Sequence, residues 1–126
     1  MIIIDTSKKV VLVTGVSSGI GQAVANLYIQ KGYIVCGLDI NLEPYTSEID
    51  KYLCDVSKEE DVKSVFADIF SKYSEINYVI NCAGIFYYKE RSSIEDLAIS
   101  EWEHVCKNHL TSNIIVTKNA IPFLRR

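Results

Sequence analysis

Val10-Val11-Leu12-Val13-Thr14-Gly15-Val16-Ser17-Ser18-Gly19-Ile20-Gly21 decides how the rest of this sequence is read. Its first four residues are aliphatic without a polar interruption. Such a run predicts a strand buried on both faces, as in a parallel sheet. Gly15, Gly19 and Gly21 follow at once, and Ile20 opens a helical pattern. Strand, glycine turn and helix bring bare backbone N–H groups and a helix N-terminus up to a phosphate. A side chain at these glycines would hold a pyrophosphate away or block the tight turn. Gly15, Ser17, Ser18, Gly19, Ile20 and Gly21 are therefore candidate cofactor-binding residues. The plain alternative is a glycine-rich turn that binds nothing.

The spacing narrows the choice. No Gly-Lys-Ser/Thr follows, so this is not a mononucleotide P-loop. The pattern is T-G-x-x-x-G-x-G, which resembles the compact form of the short-chain dehydrogenase/reductase family. The extended branch of that family spaces its glycines T-G-x-x-G-x-x-G, which does not fit. The resemblance implies an α/β fold: a Rossmann-type, doubly wound parallel sheet with strand order 3-2-1-4, residues 1–126 forming one dinucleotide-binding domain. It covers essentially the whole chain but only the N-terminal half of the family fold.

Beyond the turn, a first helix is expected from Ile20 to Lys31, with Ile20, Val24, Leu27 and Tyr28 on one face and Gly32 as its cap. Ile34 to Leu38 reads as the second strand and delivers Asp39, 18 residues after Gly21. A carboxylate at this strand end can accept hydrogen bonds from both adenosine ribose hydroxyls, and it repels a 2′-phosphate. Ile40 and Asn41 follow, and Val16 to Ser18 contain no Lys or Arg. Asp39 and its neighbour Ile40 are thus candidate adenosine-end residues, and NAD(H) is expected over NADP(H). The plain alternative for Asp39 is an exposed acid at a strand end.

Leu42 to Lys51 read as loop, and a third strand is expected around Tyr52 to Cys54. The resemblance implies that Asp55-Val56 touches the adenine ring; Asp55 reads equally well as a residue that starts the next helix. Ser57-Lys58-Glu59-Glu60 has the form of a capping box. Val62, Val65, Phe66, Ile69, Phe70 and Tyr73 then make a core-facing helical stripe. Tyr78-Val79-Ile80 is the expected fourth strand, ending in Asn81-Cys82-Ala83-Gly84. The family pattern here is usually N-N-A-G, from which Cys82 departs. The resemblance implies that Ala83 and Gly84 let the backbone pass close to adenosine and that Asn81 ties the central strands together.

Ile85 to Ile99 reads as a longer loop or helical connection. Ser100-Glu101-Trp102-Glu103 is a second capping pattern, opening a long helix from Glu101 to Ala120 with Pro122 just beyond. Trp102, Cys106, His109, Asn113, Val116 and Ala120 share one face, and Leu110, Ile114 and Ile121 another. A helix apolar on two sides is buried on two sides. In the resembled family this helix forms a dimer interface, so a homo-oligomer is expected.

Two features break the family pattern. The family carries an asparagine seven residues after the tryptophan of this helix; here that position is His109, and Asn108 lies one residue early unless a helix bulge shifts the register. His109 reads as a polar group facing the cleft or as an interior histidine held by hydrogen bonds. The family reaction also needs a serine and a tyrosine with a lysine four residues later. No tyrosine in this sequence has a lysine at that spacing. The expectation is that the cofactor half is present and the catalytic half absent. The fourth strand would then be an apolar open edge. A non-catalytic dinucleotide-binding or dimerisation module, or a vestigial gene product, remains the alternative reading.

Composition sets outer bounds. The 126 residues are 48% hydrophobic and 23% charged, with a net charge of −3. This is globular rather than disordered, and argues against an electrostatic nucleic-acid binder. The closing Arg125-Arg126 pair is too short for a basic patch. Met1-Ile2-Ile3-Ile4 is too short for a signal peptide or membrane span. No partner membrane is expected. Cys36, Cys54, Cys82 and Cys106 show neither C-x-x-C nor metal spacing, and are expected to be reduced core thiols of a cytoplasmic protein.

Overall fold

The computed structural model describes residues 7–44, 46–85 and 93–124. Most of the connection between Ile85 and Ile99, the run at residues 1–4 and the pair at 125–126 lie outside the described residues. Strand β1 (Val10–Thr14) is buried at every position. Its side chains alternate between two cores, Val10 and Leu12 on one face of the sheet and Val11 and Val13 on the other. An uninterrupted aliphatic run suits a strand with no solvent face.

The chain continues through α1 (Gly19–Gln30), β2 (Ile34–Asp39), β3 (Ile49–Leu53), α2 (Glu59–Tyr73) and β4 (Tyr78–Asn81). A 3₁₀ turn (Ile94–Asp96), α3 (Ile99–Cys106), a π-helical segment (Lys107–Thr111) and α4 (Ser112–Leu124) follow. All strand pairings are parallel, in the order β3-β2-β1-β4. The chain leaves β1 to one side and returns as β4 on the other, so the strand order reverses at the end of β1. Ligands of open α/β sheets bind at such a switch point, beyond the carboxyl ends of the strands.

Helix α1 covers one face, packing on Val11, Val13, Val16, Val35 and Ile49. Its fully buried residues are Gly21 and Ala25, whereas Ile20 is 77% exposed and Leu27 is also exposed. Of the expected stripe, Val24 and Tyr28 pack against this core, while Ile20 and Leu27 turn to solvent. The approach is close at the start of the helix: a Cβ on Gly21 would collide with the Gly15 carbonyl oxygen. Only glycine fits at this point of closest approach, and Val24, Ala25, Tyr28 and Ile29 pack on the core farther along the helix.

Helices α2 and α4 cover the other face. Val62, Val65, Phe66 and Ile69 of α2 are buried as the periodicity predicts, together with Ile115, Val116 and Ala120 of α4. Phe70 and Phe123 stack between the two helices, and Lys118 reaches Glu59 at 3.1 Å. Asp50 of β3 binds the far end of α2: its Oδ2 accepts from the Tyr52 and Tyr73 hydroxyls, both at 2.7 Å, and from Lys72 Nζ at 3.1 Å.

Several expectations are corrected. β3 begins at Ile49, inside the stretch expected to be loop, because Ile49 buries itself in the α1-side core beside Val35. Neither capping box forms. Ser57 turns its hydroxyl to Asp55 Oδ1 at 2.6 Å, and α2 starts after Lys58. Ser100 lies within α3, whose N-cap is Ala98. The expected single helix is divided by the π segment, and Pro122 sits within α4 rather than beyond it. The inserted residue rotates α3 against α4, so the expected face splits. Val116 and Ala120 are buried while Trp102 is exposed, and the second face (Leu110, Ile114 and Ile121) is exposed instead of buried. Cys36 and Cys54 are buried, but Cys82 lies past β4 and, like Cys106, is half-buried. Burial pushes the Cys54 thiol up to about 12.

Candidate functional site

The turn after β1 requires its glycines for distinct reasons. Gly15 has φ +68, and a Cβ there would lie 2.7 Å from the Ala83 Cα. Gly19 has φ +55, and a Cβ there would meet nothing within 4 Å. The first glycine admits the neighbouring strand end, and Gly21 admits helix packing. Gly19 combines a left-handed backbone with clear space at the start of α1. Ser18 is the N-cap residue in extended conformation, and its side chain makes no cap hydrogen bond; the first turn of α1 holds no acidic residue. The positive end of this helix thus carries neither a side-chain cap nor a carboxylate of its own. An exposed helix start of this kind fits an external phosphate.

The strand ends assemble around this turn. The Gly15 amide donates to the Leu38 carbonyl at 2.8 Å, joining the turn to β2. Thr14 Oγ1 accepts from the Cys82 and Ala83 amides at 3.1 and 3.0 Å, joining it to the loop after β4. Asp39 Oδ2 accepts from the Ser17 amide and its Oδ1 from the Asn41 amide, both at 3.0 Å. The carboxylate is thereby aimed by backbone from two loops.

Asp39, Ile40, Asp55, Val56, Ala83 and Gly84 line one hollow of about 70 Å³, together with Ile85 and Asn108. Residues distant in the chain meet there because β2, β3 and β4 all end at the same edge of the parallel sheet. Asp55 accepts from the Ser57 amide at 3.0 Å and from its hydroxyl. Burial acts to raise the Asp55 pKa, but the hydrogen bonds from Ser57 and the charge of Lys58 outweigh it, and the carboxyl is held below its usual value. Asp55 therefore lines the hollow and shapes the start of α2 as well. Asn81 lies elsewhere: with Tyr78 and Ile80 it lines a groove of about 340 Å³ between β4 and α4. Its Nδ2 donates to Thr117 Oγ1 at 3.4 Å, and its buried Oδ1 has no partner among the described residues.

Two contributors escaped the sequence, and a third was left open there as a helix bulge. The motif contains Thr14, but its clasp of the Cys82 and Ala83 amides is a tertiary contact. Lys51 brings its ammonium to 3.5 Å from Ser17 Oγ across a separation of 34 residues, from a stretch expected to be loop. The π segment is the third. It brings Asn108 to the hollow while His109, exposed rather than interior, holds the loop after β4. His109 Nε2 lies 3.1 Å from the Ile85 amide nitrogen and close to the Ile85 carbonyl oxygen, so either tautomer finds a partner. A Cβ on Gly84 would collide with that ring. The Trp102 spacing that left Asn108 one residue early was the available signal for such a bulge.

Known proteins share the fold of this chain. A 3-oxoacyl-[acyl-carrier-protein] reductase from Thermotoga maritima is 29% identical over 126 residues, covering 92% of this chain and 50% of its own length. The ligand-free structure of Thermoplasma acidophilum aldohexose dehydrogenase superposes with a TM-score of 0.84 at 35% identity, over 93% of this chain and 44% of that one. The structure of ElxO with NADP bound gives a TM-score of 0.81 at 25% identity, over 91% of this chain and 50% of that one. The chain spans about half the length of the curated relatives it matches. The family model described as short chain dehydrogenase matches residues 9–126. With a parallel β3-β2-β1-β4 sheet, a glycine turn at its switch point and this match over nearly its full length, the chain belongs to the short chain dehydrogenase family.

Proposed function

We propose that residues 1–126 are the NAD(H)-binding portion of an oxidoreductase that transfers hydride between a nicotinamide dinucleotide and an alcohol/carbonyl pair. The observation that carries this reading is the hollow beside the glycine turn, lined by Asp39, Ile40, Asp55, Val56, Ala83 and Gly84. Gly15, Ser17, Ser18, Gly19, Ile20 and Gly21 would hold the pyrophosphate, and Asp39 the adenosine ribose. Asn81 would serve by joining β4 to α4. The cofactor supplies hydride chemistry when bound; the residues of this chain bind and orient it.

NAD(H) is favoured over NADP(H) because Asp39 would face a 2′-phosphate with a carboxylate aimed by two backbone amides. Direct titration of the chain with NADH and NADPH tests the reading. Binding of NADH with clear preference is expected, and Asp39→Ala should weaken NADH and narrow the preference. Failure to bind either dinucleotide would overturn it.

The 126-residue chain is proposed to lack turnover of its own, since none of its tyrosines has a lysine four residues later. Turnover of any alcohol by this chain alone would refute that. The exposed Leu110, Ile114 and Ile121 and the edge of β4, unpaired among the described residues, support self-association. Among the described residues no helix is long and apolar enough to cross a membrane, and all four cysteines are free thiols, which favours a reducing compartment, the cytoplasm.

A further inference from the structure

We propose that Lys51 is a positioning residue for cofactor discrimination, locking Asp39 into its ribose-facing pose; this rests on the NAD(H) reading above. Lys51 is in register with Gly37, which is in register with Val13. A Cβ on Gly37 would lie 2.6 Å from Val16 Cγ1, so the absence of that side chain lets the turn after β1 settle over β2. The same settling brings Ser17 within reach of β3. Lys51 Nζ lies 3.5 Å from Ser17 Oγ, 3.2 Å from the Leu42 carbonyl oxygen and 2.5 Å from that of Pro44.

All three of these oxygens are uncharged, so in these contacts the ammonium joins two loops rather than neutralising an acid. The Ser17 hydroxyl donates its proton to the Asn41 carbonyl at 2.5 Å, which leaves a lone pair for Lys51. Ser17 and Asn41 are the same two residues whose amides hold the two oxygens of Asp39. Lys51 therefore acts on Asp39 through both of its anchors and fastens the chain beyond Asn41 as well.

The substitution Lys51→Met keeps the apolar stem and removes the cross-link. Two readouts decide the proposal. In the unliganded variant, exchange of the Ser17 and Asn41 amides should accelerate about tenfold while β1 amides keep their protection, because a local tie rather than the fold is lost. NADH affinity should fall about tenfold and NADPH affinity by less than about twofold, the loss of one charge-assisted tie acting on the ribose pose alone. Unchanged exchange at Ser17 and Asn41 would overturn the proposal. So would a selective loss of NADPH, which would make Lys51 a counter-charge for a 2′-phosphate. A fall in melting temperature with uniformly faster exchange would reduce it to a structural residue and also overturn it. If the parent chain binds neither dinucleotide, the functional reading fails, and amide exchange still decides whether Lys51 positions Asp39.

Discussion

At the scale of single residues, the turn is held by groups whose removal has definite costs. Thr14 is 1% exposed and its hydroxyl oxygen serves two amides. Thr14→Val keeps the shape and leaves both amides without that partner. The expected loss is about 1–3 kcal/mol, read from the denaturant midpoint at unchanged m-value. Asp50 gives a pH prediction. Burial works to raise its pKa, but the hydrogen bonds from Tyr52, Tyr73 and Lys72 and the charge of Lys72 hold it below its usual value. A depressed folded-state pKa means stability that is present above the unfolded carboxylate value and lost as pH falls through the folded one. The acid limb of the stability curve should therefore begin in the usual carboxylate range and continue below it. Asp50→Asn should flatten that limb relative to the parent while lowering stability at neutral pH. Glycine spacing made Gly15 and Gly21 legible in the sequence, because close approach leaves a compositional mark. The roles of Thr14 and Asp50 left none, since a threonine or aspartate in a strand has the same letter whatever it meets across the sheet.

At the scale of elements, α3, the π segment and α4 show how one extra residue in a helix changes what each face does. Helical periodicity correctly placed Val116 and Ala120 in the core, and failed for Trp102 before the insertion and for Ile114 and Ile121 after it. A second departure is Pro122, which lies within α4 and offers no N–H to the Lys118 carbonyl. Pro122→Ala supplies that donor on an exposed position near the helix end. It should stabilise the chain by about 1–3 kcal/mol, measured by thermal or chemical denaturation. An unchanged or lowered midpoint would mean that proline's rigidity outweighs the missing bond. Helices α1 and α2 were legible to within one or two residues, and so was the left-handed cap of α1 at Gly32, whose φ is +85; the capping at the start of α2 was not. Ser57 prefers Asp55, a competition between side chain and helix that the S-x-x-E pattern does not record.

At the scale of the whole molecule, the described chain leaves two surfaces without cover. β4 ends the sheet on one side, and α3 to α4 expose Leu110 at 63% and Ile114 at 66%. A solvent-facing apolar stripe beside an open strand edge favours association. Sedimentation should show a species larger than the 14.2 kDa monomer. Ile114→Glu should shift it toward monomer without lowering helix content; a variant that stays associated would move the contact to the β4 edge. Cofactor linkage acts on the same scale. NADH at about a hundredfold its dissociation constant should raise stability by about 2.7 kcal/mol, seen as an upward shift in melting temperature that Asp39→Ala diminishes.

The sequence by itself determined the class of fold and the position of the glycine turn. These depend on local regularities: an aliphatic run, three glycines at fixed spacing, and apolar residues at helical intervals. It also named Asp39 from its place at the end of the second strand, and Asp55, Ala83 and Gly84 through the family resemblance. Only the tertiary structure decided which of these residues meet. It gathered Asp39, Asp55, Ala83 and Gly84 at one hollow, set Asn81 in another groove, and brought Lys51 to Ser17. Such contacts depend on strand register, on how closely Gly21 lets α1 approach, and on the added residue of the π segment. Each is settled by packing between elements distant in the chain, where local pattern carries no information.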